Sequence, residues 1–235
     1  IEADEHLYAI GKTQPEYVVA EFNDDYTEVV ITKNGDESDG LMMDWIVIDM
    51  TTGGFSLASV SPMIENGETL SIINIEEGVK NIGCGAVIAG NIETGEDVSI
   101  SVKELNIPNS IVNIPAMSIV DIYVENLYYS GTVNEWASIS FGNIVTTDGF
   151  VDMSSDFHIE MNQYSLMSCV DNAYFNNTLV NNITFKDGIK TINAFAFAGY
   201  DGLYSVSIPD SVIEIKPYAF AECSNLTVLN IPDGI

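Results

Sequence analysis

Between residues 203 and 231 the apolar side chains fall on a short, regular beat. In "LYSVSIP" (203–209) Val206 and Ile208 alternate with Ser205 and Ser207, the two-residue period of a half-buried strand. Pro209 follows, and because it has no N–H to donate it ends that strand. "SVIEI" (211–215) is a second short alternation, and "PYAFAECSN" (217–225) predicts a tight helical corner that drives Phe220 into the core.

The pattern then returns. Ile208 and Ile231 are each followed by Pro-Asp, which sets a 23-residue step. The same step sets Leu226 over Leu203, Leu229 over Val206, Val212 over Ile189, Ile215 over Ile192 and Phe220 over Phe197. One step further back reaches Val180, Ile183, Tyr174, Cys169 and Leu166, so 162–184, 185–207 and 208–230 read as three turns of one unit. Cys169, standing where the later units carry Ile, is expected to be a core thiol. Looser copies place Ile75, Val79, Ile82 and Val87, then Ile107, Ile111, Ile114 and Ile119, at the same offsets. The step from Ile75 to Ile107 is longer than the period, so a polar insertion near "NIETGEDVS" (91–99) is expected to loop out between these two. A single unit buries too little apolar surface to offset its chain entropy, so the units must stack.

The unit Leu203, Val206, Ile208, Pro209, Val212, Ile215, Ala219, Phe220, Cys223 resembles the BspA-like leucine-rich repeat of bacterial surface proteins. "NLYYSGTVNEWASISFGN" (126–143) is similar to an insert frequent in the same proteins. In it Thr132 and Glu135 have the spacing of a capping box that starts a short helix and packs Trp136. "AEFNDDYTEVVITKNGDESDGLMMDW" (20–45) is similar to the β-rich lead-in of those proteins. The resemblance implies a β-rich α/β solenoid: a right-handed superhelix of 23-residue repeats with short helical corners and an N-terminal β cap. On that reading 1–69 is the lead-in and 70–235 the solenoid, interrupted by the Tyr-Tyr-Ser-Gly-Thr/Trp insert at about 120–160. It also implies a secreted or surface-displayed recognition scaffold. Some relatives adhere to host extracellular-matrix proteins.

Charge narrows the partners. Seven cations, all Lys, face 35 acids, for a net charge of −28. Such a field repels nucleic-acid phosphates and anionic membranes, and without Arg the usual bidentate anion clamp is missing. No apolar stretch reaches the roughly 20 residues that span a bilayer; the longest, 111–124, is broken by Asn113, Pro115 and Asp121. The sequence opens at Ile1 without Met, as a trimmed secreted chain does and as a cloning boundary also does.

Candidate chemistry is sparse. His6 and His158 belong to no catalytic motif, and Cys84, Cys169 and Cys223 form neither a CxxC pair nor a disulfide framework. "NGDESDG" (34–40) begins like a calcium loop, but its Gly falls late and Trp45 stands where the bidentate Glu belongs. Asn176, Asn182 and Asn225 each open an Asn-x-Thr triplet, which a bacterial resemblance and the abundance of Asn argue against as glycosylation sites. Tyr128, Tyr129 and Trp136 are sugar-stacking side chains by type, with packing as the plainer role. No catalytic residue, metal or cofactor is predicted.

Repeat proteins bind on the concave strand face. The outward strand positions are Ile72 and Asn74, Glu104 and Asn106, Asn182 and Thr184, Ser205 and Ser207, Val228 and Asn230. The expectation is non-enzymatic binding there of a host matrix protein or other surface protein with a basic patch. A glycan-binding or glycan-active module and a passive spacer are the alternatives. The final strand (Leu226, Leu229, Ile231) is expected to leave an open apolar edge, covered by further repeats, an anchoring region or edge-to-edge self-association.

Overall fold

The computed structural model describes residues 18–24, 27–33, 46–49, 54–57, 63–64, 70–83, 87–89, 100–116, 118–120, 122–142, 144–146, 149–151 and 165–235. Two of the sheets carry the outward strand positions singled out above. The larger runs β1 (Val18–Phe22), β2 (Glu28–Lys33), β3 (Ile72–Ile75), β4 (Ile100–Ile107), β5 (Ile122–Tyr129), β6 (Val170–Phe175) and β7 (Thr178–Leu179). Antiparallel hairpins close both of its ends, β1 with β2 and β6 with β7, and every pairing from β2 to β6 is parallel. The smaller sheet pairs β8 (Asn182–Thr184), β9 (Ser205–Ser207) and β10 (Val228–Asn230) in parallel. Its register sets Asn182 beside Ser205 and Ser205 beside Val228, each pair one repeat apart.

The alternation explains the core. Ile73, Leu105, Leu127 and Ala173 are register neighbours on one buried line, and Ile107, Tyr129 and Phe175 form another. In the smaller sheet Ile183 and Val206 do the same. Three neighbouring strands break the two-residue beat at one place. Val102 and Leu105, Val124 and Leu127, Val170 and Ala173 are all buried, with two residues between each pair instead of one. The pairing of β4 with β5 skips Lys103 and Glu125 there, and side-chain amides reach those carbonyls: Asn126 Nδ2 donates to Lys103 O and Asn172 Nδ2 to Glu125 O.

The segment expected to interrupt the solenoid supplies β5, the strand between β4 and β6. The Thr132–Glu135 capping box forms and starts helix α1 (Val133–Trp136). Three amide or indole groups lock this turn to the repeats that follow. Asn134 exchanges hydrogen bonds with the Lys186 backbone in both directions. Asn193 Nδ2 donates to Ser138 O and Ile139 O, and Trp136 Nε1 donates to Ala196 O at 2.7 Å. A file of rings runs through the same interior, from Tyr129 and Trp136 through Phe175 and Phe197 to Phe220.

Three details depart from the sequence reading. The corners at 194–199 and 217–222 are hydrogen-bonded turns, not helices. Phe195 and Tyr218, one repeat apart, hold φ of 59° and 62° there, and their rings stack with centroids 5.2 Å apart. Second, Tyr174 is not inward like Phe197. It lies on β6, where pairing with β5 gives the buried places to Ala173 and Phe175. Third, Phe220 is only partly buried, stacked on the fully buried Phe197. Leu229 and Ile231 are 42% and 52% exposed.

Candidate functional site

The outward positions fall on two sheets. Ile72, Asn74, Glu104 and Asn106 face solvent from the larger one; Asn182, Thr184, Ser205, Ser207, Val228 and Asn230 do so from the smaller. On the larger sheet the register extends these residues into two rows. One reads Glu28, Ile72, Glu104, Asn126, Asn172, and the other Val30, Asn74, Asn106, Tyr128, Tyr174, Leu179.

Within the second row the side chains order one another. Asn74 Nδ2 donates to the Glu28 carboxylate, which as an anion only accepts. Asn74 must therefore turn its Oδ1 the other way, and Asn106 Nδ2 donates to it at 2.6 Å. The ladder thus has a direction set by Glu28: it engages Asn106 through Nδ2 and does not use its Oδ1. Beyond it Tyr128 and Tyr174 stack, centroids 5.0 Å apart and planes inclined by 19°. Burial against its neighbours, then the Glu104 carboxylate, Tyr174 and Glu125, hold the Tyr128 phenol above its usual range, so it is a neutral donor at physiological pH. In the smaller sheet Ser205 Oγ donates to Asn182 Oδ1 at 2.6 Å and Asn182 Nδ2 to Asn181 Oδ1.

Of the three aromatic candidates, Tyr129 and Trp136 are core residues and Tyr128 faces out. Tyr174 was missed because the 23-residue step aligns it with Phe197. The alternation Leu127 in, Tyr128 out, Tyr129 in was the available signal. Cys169 packs against the core, and its Sγ donates to Leu166 O. Burial pushes this thiol up to about 12, and Cys223, held against Phe197 O, up to about 11. Burial thus favours the protonated thiol at both positions, the environment of packed cysteines. Among the described residues no group of three His, Cys, Asp or Glu is placed to hold a metal. His6, His158, Cys84 and the 34–40 turn lie outside the described residues.

Residues 168–235 match the family model described as "BspA type Leucine rich repeat region (6 copies)". Residues 168–235 carry BspA-type leucine-rich repeats. Three solved structures align with most of the chain's length at low identity. One from Bacteroides ovatus is 13% identical, with a TM-score of 0.35, over 93% of this chain and 53% of that one. A leucine-rich cell surface protein of Faecalibacterium prausnitzii is 14% identical, with a TM-score of 0.30, over 92% and 75%. The pneumococcal vaccine antigen PcpA is also 14% identical, with a TM-score of 0.30, over 93% and 68%. The chain spans about half the length of the Bacteroides protein. No curated protein matches it. Among the described residues no helix is long and apolar enough to cross a membrane.

Proposed function

We propose that this chain is a cell-surface recognition scaffold, without catalytic activity, that binds a protein ligand on the solvent face of its strands. Its 23-residue repeats wind as one right-handed superhelix. The observation that carries the reading is the row Asn106, Tyr128, Tyr174, Leu179, one amide, two stacked phenols and an exposed Leu on adjacent strands. Tyr is the side chain that offers much contact area at little entropic cost, and here each ring is already held by its neighbour. Glu104 and Glu125 flank the row, so the ligand that suits it carries a basic patch.

The test is an array of extracellular-matrix and host-surface proteins, followed by titration of the strongest binder. Tyr174→Ser and the bulky replacements Ser207→Trp and Asn230→Trp should weaken binding tenfold or more, by the logic of a central aromatic anchor. Raising the salt should slow association. Binding that tolerates all three substitutions would overturn the reading.

A further inference from the structure

At one end of β4 and β5 the surface opens into a groove of about 420 Å³, within the size range of small-ligand sites. Glu77, Asn106, Tyr128, Ser130, Asn176 and Asn177 supply its polar wall. Ile75, Ile107 and Pro108 line it from the core side. We infer that this groove is a subsite for a neutral saccharide of one or two sugar units, adjoining the protein-binding face proposed above.

The ligand class follows from the donors and acceptors. Among the described residues no cation lines the groove, so none of them would neutralise a phosphate, sulfate or carboxylate. Side-chain amides offer a donor and an acceptor on one rigid plane, the pattern that adjacent sugar hydroxyls, each both donor and acceptor, can meet. Three features fix those groups in place. The Glu28-directed ladder leaves Asn106 Oδ1 as an acceptor beside Tyr128. Ser130 Oγ accepts from Asn109 N at 2.8 Å, which leaves its hydroxyl proton for a ligand. Asn176 and Asn177, at φ of 47° and 61°, make the two-residue turn between β6 and β7, the geometry of a tight hairpin. The Tyr128 ring is backed by Tyr174, and the apolar wall suits the C–H face of a pyranose.

The experiment titrates lactose, maltose, cellobiose and N,N′-diacetylchitobiose into the protein, read by heteronuclear NMR shifts. At least one should bind saturably in the millimolar range, unchanged by salt because no charge is neutralised. Asn177→Gly keeps the turn, since Gly accepts φ > 0, and Tyr128→Phe keeps the ring stack. Each should weaken binding about five- to tenfold, the effect of losing one hydrogen bond, with the melting temperature unmoved. Glu28→Gln, outside the groove, should weaken it too, because a neutral amide no longer dictates the ladder's direction. Ser207→Trp, Asn230→Trp and added salt, none of which touches the groove lining, test the protein-binding face instead, so the two proposals fail separately. No saturable shift with any of the four sugars at about 50 mM, or wild-type affinity in both groove variants, would overturn the inference.

Discussion

Replacing Trp136 with Phe tests whether the α1 turn and the later repeats share one core. The indole is fully buried, its ring lies 5.0–5.3 Å from those of Tyr129, Phe141 and Phe175, and its N–H meets Ala196 O at 2.7 Å. Phe preserves most of the ring contacts but leaves the Ala196 carbonyl without that donor, at a cost of about 1–3 kcal/mol. The missing ring leaves a void of roughly 40 Å³, which adds about 1 kcal/mol. A loss of about 2–4 kcal/mol should move the urea midpoint down by about 1 M or more. Far-UV circular dichroism is the probe, because the substitution removes one of the two tryptophans. Amide exchange should quicken around 193–198 as well as around 133–139, since the bond links the two segments. A midpoint shift under about 0.2 M, or quickened exchange confined to 133–139, would refute a shared core across that contact.

Other outcomes follow from the repeat geometry. Phe197→Ala should cost about 3–5 kcal/mol and Phe220→Ala clearly less, because only Phe197 is fully buried; equal urea midpoints would contradict this. Glu222 holds φ of 54° where Gly199, one repeat earlier, holds 75°. Glu222→Gly should therefore leave the melting temperature unchanged or raise it, a relief of up to about 1 kcal/mol, and a marked fall would show the backbone angle is wrong. The Thr132 backbone N–H, then its hydroxyl, hold the Glu135 carboxyl below its usual range. A depressed native value means the stabilisation is present above the unfolded carboxylate range and is lost as pH falls through the native value. The melting-temperature gap between wild type and Glu135→Gln should accordingly close as pH falls through and below the ordinary carboxylate range; a gap constant with pH would contradict it.

Where the chain repeats itself closely the fold was legible. Val206 and Ile208 are buried as their alternation requires, and the 23-residue step is the spacing of the β8, β9 and β10 partners. The same step misled at Tyr174, because Ala173 and Tyr174 match Ala196 and Phe197 in sequence but not in surroundings. Asn176 and Asn177 turn the chain into a hairpin there, and β6 takes its register from β5, on the far side of the α1 turn in sequence. That register, not the local motif, decides which ring points out. The Trp136–Ala196 bond joins two segments far apart in the chain and ends on a backbone carbonyl, so no side-chain pattern announces it. The outward Asn positions were readable from alternation. Their common direction depends on Glu28, which lies on a strand outside the repeats.

In the proposed function a protein ligand sits on the outward tyrosine row. Hydroxyl-radical footprinting of the complex tests it most directly, because tyrosines sample both the strand face and the corners. Tyr128 and Tyr174 should become protected while Tyr218, half exposed on the corner turn, stays as reactive as in the free protein. Protection of Tyr218 with Tyr128 and Tyr174 unchanged would contradict it.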